Sequence, residues 1–88
     1  MRFSELTYND LDRVMNRLGL AFHWSQDGFR VYRDGVSGAA VFFRGSPAED
    51  RIPMVDLITA RRTLDDFRVI DGNAFDDVLA DVQRELVA

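Results

Sequence analysis

The residues best suited to chemistry lie in and around one predicted pair of strands. His23 is the only histidine of the chain, and histidine is the side chain that exchanges protons most readily near neutral pH. Strand alternation places His23 opposite Phe22 and Trp24, on the sheet face that points away from the helices. No second group stands at a fixed spacing from it to complete an acid–base pair. His23 is therefore the one catalytic candidate, and a solvent-facing strand histidine is its simpler interpretation.

The same face offers a candidate binding surface. Its expected members are His23, Arg30, Tyr32, Phe42 and Arg44. One interpretation is a partly covered sheet whose aromatic residues pack beneath a helix. A second is a protein interface, where tyrosine, phenylalanine and arginine are enriched. A third is RNA, since aromatic rings stack on bases and arginines hold phosphates. The acidic charge of the chain ranks RNA last.

Charge and composition restrict the possible functions further. The 88 residues carry a net charge of −4, no lysine and no cysteine. Residues 1–44 hold six arginines against five acids, and residues 45–88 hold five against ten, so no general basic footprint for nucleic acid is present. Lack of cysteine excludes disulfides, thiolate metal sites and a cysteine nucleophile. Adjacent acids on a helix point about 100° apart and cannot clamp one ion together.

Cofactors, metals and membranes are not expected either. The chain contains no phosphate-binding loop, nucleophile elbow or zinc-ligand spacing. No apolar run approaches the length of a membrane span, and the amino terminus lacks the apolar segment of a signal peptide. We expect a cytoplasmic protein that forms a single domain over residues 1–88.

Local patterns predict the order α-β-β-β-α-α. Thr7 is a good N-cap with Asp10 three residues on, and Gly19 suits the end of this first helix. Strands follow at 20–26, 29–33 and 39–44, with a two-residue turn of type I′ at Asp27-Gly28. A second helix begins near Pro53, with a buried face expected at Met54, Leu57, Ile58 and Leu64.

An extended link at 67–70 then leads to a third helix capped by Asn73. Its apolar stripe comprises Phe75, Val78, Leu79, Val82 and Leu86. The chain is thus predicted to be α+β, with a three-stranded antiparallel meander packed against helices. The third strand would lie at an edge, and its apolar run 39–43 would favour self-association there.

The front half of this layout resembles HicA-type toxins, which are small RNA-cleaving domains. The resemblance rests on the helix ending in Leu18-Gly19-Leu20 and on Val31-Tyr32-Arg33 at the expected distance from Gly19. It implies a double-stranded-RNA-binding-domain-like α-β-β-β-α core, to which the third helix is an addition. The family's Gly-Ser/Thr-His segment falls on Asp27-Gly28-Phe29.

This departure bears directly on function. The family's histidine is thought to assist attack of the RNA 2′-hydroxyl, and a phenylalanine at position 29 can neither accept nor donate a proton. The resemblance therefore implies a binding module without the catalytic histidine, which acts through a protein partner or as a homodimer. The alternative is a toxin-like RNA-binding protein or mRNA interferase that uses His23 or recruits another base.

Overall fold

Residues 6–87 are described by the computed structural model, and the side chains from Leu6 to Arg84. The elements are α1 (Tyr8–Arg17), β1 (Ala21–Trp24), β2 (Arg30–Arg33), β3 (Ala40–Phe43), α2 (Met54–Asp66) and α3 (Gly72–Val87). The strands form one antiparallel sheet in the order β1-β2-β3. This confirms the predicted α+β class and element order. Among the described helices, none is long and apolar enough to cross a bilayer.

Helix α1 begins and ends where the sequence predicts. The Thr7 hydroxyl accepts from the Asp10 amide, and the Asp10 carboxylate accepts from the Thr7 amide at 2.9 Å, which completes a capping box. Gly19 follows the helix at a φ of +80°, a conformation that glycine adopts without steric cost. Leu11, Val14 and Met15 are fully buried, and α1 packs against α3 and β1.

The loop between β1 and β2 differs from the prediction. The Ser25 amide donates to the Phe29 carbonyl at 2.9 Å, and the Gly28 amide donates to the Ser25 carbonyl at 3.0 Å. The loop therefore holds three residues, 26–28. Gly28 has a φ of +86°, whereas Asp27 is not at positive φ. A type I′ turn would need positive φ at both residues, so that prediction is wrong.

Helix α2 buries fewer of its apolar residues than its pattern indicates. Leu57 and Leu64 are buried as expected, together with Ala60. Met54 and Ile58, however, are 41% and 58% exposed. The buried face of α2 consists of Leu57, Ala60 and Leu64, and the helix packs against β3 and α3. Met54 and Ile58 lie to the side of this face and are accessible to solvent.

The connection to α3 is a turn and not an extended link, and Arg68 there has a φ of +59°. The N-cap of α3 is Asp71, whose carboxylate accepts from the Ala74 amide at 2.9 Å, so the expected cap at Asn73 is wrong. The Arg61 guanidinium forms two hydrogen bonds with the Asp76 carboxylate, at 3.0 and 3.2 Å. This pair joins α2 to α3 and raises the pKa of Arg61.

The core lies between the three helices and one face of the sheet. The third helix is part of it, because Phe75, Leu79 and Val82 are almost fully buried. The side chain of Leu86 falls outside the described part of the chain. The other buried members of this core are Leu6, Tyr8, Leu11, Val14, Met15, Leu20, Tyr32, Val41, Phe43, Ile52, Leu57, Ala60 and Leu64.

Substitution of Gly28 by alanine tests the loop. A Cβ at Gly28 would meet no atom within 4 Å, so any cost comes from its φ of +86° alone. We expect Gly28→Ala to lower the free energy of unfolding by about 1–2 kcal/mol. Urea unfolding measures it.

Gly35→Ala is the matched control, because Gly35 lies in the second hairpin loop with equally open surroundings and no positive φ. We expect it to be neutral or stabilising. Equal stability of the two variants would contradict the three-residue loop.

Candidate functional site

The sheet register separates the five predicted binding residues into two groups. Cα partners across the ladder share a face, and His23 pairs with Val31, which pairs with Phe42. Tyr32 pairs with Phe22, and Arg30 pairs with Trp24. The prediction that Arg30 and Tyr32 share a face with His23 is therefore wrong. The cause is the three-residue loop, because one extra residue moves every side chain of the following strand to the opposite face.

The face that points away from the helices carries an exposed group of aromatic, basic and imidazole side chains. His23 and Phe42 lie there, as predicted, and Phe42 is 61% exposed. Arg33 shares the face through its pairing with Ala21 and Ala40. Alternation extends the face by one residue along β2 and β3 to Phe29 and Arg44. We call this surface the open face; its members are His23, Phe29, Arg33, Phe42 and Arg44.

The centre of the open face is closely packed. Val31 lies on the middle strand of this face and is only 1% exposed, and it is not a member of the core cluster on the helix side. Its cross-strand neighbours are His23 and Phe42. The open face is thus a platform with an apolar centre.

The electrostatics of the open face oppose those of the chain as a whole. Arg33 and Arg44 are both exposed, and neither forms a salt bridge with a described residue. No carboxylate lies within β1, β2 or β3. A chain of net charge −4 therefore presents a locally positive, aromatic surface.

His23 itself has no arrangement for acid–base chemistry. It is exposed, and its imidazole forms no hydrogen bond with any side chain of the described residues. A catalytic histidine is normally oriented by a second group that fixes its tautomer. In the described part of the chain, no group of three histidine or acidic side chains could hold a metal ion.

A second cluster surrounds Arg30 on the helix side of the sheet. The Arg30 side chain is 7% exposed, and its guanidinium carbon lies 4.9 Å from the ring centroid of Trp24 and 5.1 Å from that of Tyr8. One guanidinium nitrogen donates to the Ser46 carbonyl at 3.1 Å, and another lies 4.0 Å from the Asp12 carboxylate. Arg30 is therefore a structural cation held by aromatic faces and one acid.

Asp12 joins this cluster to α1. Its carboxylate accepts a hydrogen bond from the Tyr32 hydroxyl. Burial, followed by this hydrogen bond and the negative charge of Asp12, raises the pKa of the Tyr32 phenol far above its usual value. Sequence reasoning missed Asp12, because a charged residue beside the buried helix face gives no signal until the sheet register is known.

Two aromatic residues of β1 remain accessible on the helix side. Phe22 and Trp24 face the helices as predicted, yet they are 42% and 52% exposed. Their rings meet edge to face with centroids 5.3 Å apart. A shallow cavity of about 340 Å³ lies beside them, lined by Asp12, Asn16, Leu20, Ala21, Phe22 and Tyr32. Among the described elements, β1 packs chiefly against β2 and α1.

The sequence leaves two modes of self-association open at the third strand: pairing of its edge, or stacking of Tyr32 and Phe42 across a two-fold axis. The second mode is wrong, because Tyr32 is 1% exposed and points into the core. Strand β3 does lie at an edge of the sheet, as does β1. Comparisons of the chain with protein families, with curated proteins and with solved structures find no match.

The Asp12–Tyr32 contact predicts a characteristic alkaline response. The Tyr32 phenol of the unfolded chain loses its proton near the ordinary tyrosine pKa of about 10, whereas the folded phenol keeps its proton to higher pH because its pKa is raised. The stability of the native protein therefore falls as pH rises above about 10, because the unfolded state binds fewer protons.

We expect Tyr32→Phe to cost about 0.5–1.5 kcal/mol at neutral pH. This difference should shrink between about pH 9 and pH 11, because the variant lacks the titrating group. Urea unfolding of both proteins across this range measures it. A difference that stays constant with pH would contradict the assignment.

Proposed function

We propose that this protein is a small HicA-like binding module that acts by contacting a protein partner or a second copy of itself, and that it does not cleave RNA. The observation that carries the proposal is the open face, where Phe42 is 61% and Phe29 43% exposed beside two arginines. Exposed aromatic patches mark interaction sites on small proteins. Aromatic residues and arginine are the types enriched in protein interfaces.

The lack of ribonuclease activity follows from position 29. The resemblance to HicA-type toxins assigns the catalytic histidine to this position, and the phenyl ring there cannot transfer a proton. His23 lies on the same face and is a diagonal cross-strand neighbour of Phe29, at a typical separation of roughly 7–8 Å. It has the chemistry of a base but no orienting partner among the described side chains. A cytoplasmic location is part of the same proposal.

RNA binding is the second candidate, and one observation favours it. The open face combines stackable rings with Arg33 and Arg44 and holds no carboxylate within its strands, as single-strand binding platforms do. Against it stands the net charge of −4, which repels a polyanion at longer range. The protein interface is therefore the preferred interpretation.

The open face should be required for partner binding. We expect tagged wild-type protein, purified from its native host after nuclease treatment, to retain a partner that mass spectrometry identifies. Phe29→Ser combined with Phe42→Ser should lose this partner, because it removes the exposed rings. Phe67→Ser is the matched control, since Phe67 is 51% exposed at the end of α2. Equal retention by the double variant and the control would contradict this role of the open face.

We also expect no cleavage of mixed single-stranded RNA above that of a boiled sample. Fluorescence anisotropy with labelled single-stranded RNA tests the second candidate. Saturable binding that weakens with salt and is lost in Arg33→Ala and Arg44→Ala would favour RNA as the ligand. Cleavage that is abolished by His23→Ala would overturn the non-catalytic assignment.

A further inference from the structure

The outer edge of β1 is the most accessible strand edge of the sheet. All four residues of β1 are exposed, whereas β3 has Val41 and Phe43 buried beneath the helices. Helix α2 packs against β3. No charged residue or proline lies within residues 19–26, although such residues are the usual protection of a free edge.

The hydrogen-bonding groups at this edge can be assigned from the ladder. The Ser25 amide donates to Phe29, and an antiparallel ladder bonds alternate residues. The backbone groups of Ala21 and His23 therefore face β2. Those of Phe22 and Trp24 face outward, and each residue offers one donor and one acceptor to a further strand.

Two-fold pairing of β1 with a second β1 has one register that uses all of these groups. In this register, Phe22 of one copy lies opposite Trp24 of the other, and His23 lies opposite His23. Both Phe22–Trp24 pairs are hydrogen-bonded pairs, and the His23 pair is a non-bonded one. A shift of the register by two residues would pair Phe22 with Phe22 of the other copy in one direction, and Trp24 with Trp24 in the other. In either case the remaining aromatic residue of β1 would lie opposite a residue outside β1.

The side chains of β1 suit this symmetric register. Phe22 and Trp24 already meet edge to face at 5.3 Å within one chain, and the register places the same two ring types opposite each other across the axis. Cross-strand aromatic pairs stabilise sheets. The accessible parts of both rings, 42% and 52%, would lie against the partner. A two-fold interface must be self-complementary in this way.

We propose that the chain forms a two-fold dimer by antiparallel pairing of β1 with β1 of a second copy, with His23 at the axis. The two sheets become continuous, and their open faces lie on the same side. This inference names the second copy that the proposed function leaves open. It does not depend on what the open face binds, because the dimer contact lies at the strand edge.

A cysteine at position 23 tests the register directly. The chain contains no cysteine, so His23→Cys introduces a single thiol on an exposed strand residue. In the proposed register the two Cα atoms at position 23 lie about 4.5 Å apart, within the range that a disulfide spans. We expect a covalent dimer under mild oxidation with diamide, seen on a non-reducing gel.

Phe42→Cys is the matched control, since Phe42 is exposed on the same face but lies on β3. We expect Phe42→Cys to remain largely uncrosslinked under the same conditions. Efficient crosslinking at position 42 without crosslinking at position 23 would place the contact on β3 and overturn the proposal.

Sedimentation equilibrium tests the dimer without crosslinking. We expect twice the chain mass of 10.1 kDa at micromolar concentration. Phe22→Lys should return the single-chain mass, because a charge on the inward side of an edge strand blocks pairing. Val36→Lys, at a residue 98% exposed in the second hairpin loop, should leave the dimer intact, and circular dichroism establishes that each variant is folded.

A single-chain mass for wild-type protein at these concentrations, with no crosslink at position 23, would overturn the dimer. Retention of a different protein partner through the open face would in that case still support the proposed function. A Phe22→Lys variant that is folded and still dimeric would likewise overturn the assignment to β1.

Discussion

The register between β1 and β2 is the constraint on which the rest of the molecule depends. It is set by a loop of three residues that closes with the Ser25–Phe29 hydrogen bond and turns at Gly28. With this loop, Tyr32 reaches Asp12 on α1, and Arg30 lies beneath Trp24. A two-residue loop would place Val31 and Arg33 on the helix side and leave Tyr32 in solvent. One residue of loop length therefore decides both the core and the open face.

The contacts of Arg30 help to stabilise this register, but they require the burial of a charged guanidinium. Burial of a guanidinium is unfavourable unless hydrogen bonds and charge replace the lost water. Here the replacement comes from several elements: Asp12 on α1, Ser46 after β3, and the rings of Tyr8 and Trp24. The guanidinium Nε and the Tyr8 hydroxyl nevertheless have no partner among the described residues. The contacts of Asp12 with Arg30 and Tyr32 fix the position of α1 on the sheet. The unpaired polar atoms reduce the net contribution of the cluster to the free energy of unfolding.

The elements that sequence predicts well are those that local chemistry determines. The capping box of Thr7 and Asp10 and the left-handed Gly19 depend only on neighbouring residues. The loop at 26–28 was harder, because Asp27-Gly28 suits a two-residue and a three-residue turn alike, and tertiary contacts choose between them. The face on which each β2 residue lies depends on that choice. The sequence therefore predicts the correct face for His23 and Phe42 but the wrong face for Arg30 and Tyr32, which belong to β2.

The aromatic residues on the two faces of the sheet have different surroundings. On the helix side, Tyr8, Tyr32 and Phe43 pack edge to face in the core, and Phe22 and Trp24 extend that packing to the free edge of β1. On the open face, Phe29 and Phe42 are 43% and 61% exposed and lie on the same side of the sheet as the buried Val31. Because strand alternation keeps the two groups apart, a change to the open-face rings leaves the Arg30 cluster intact. The side chains of the open face can therefore differ without a change to the contacts on the helix side.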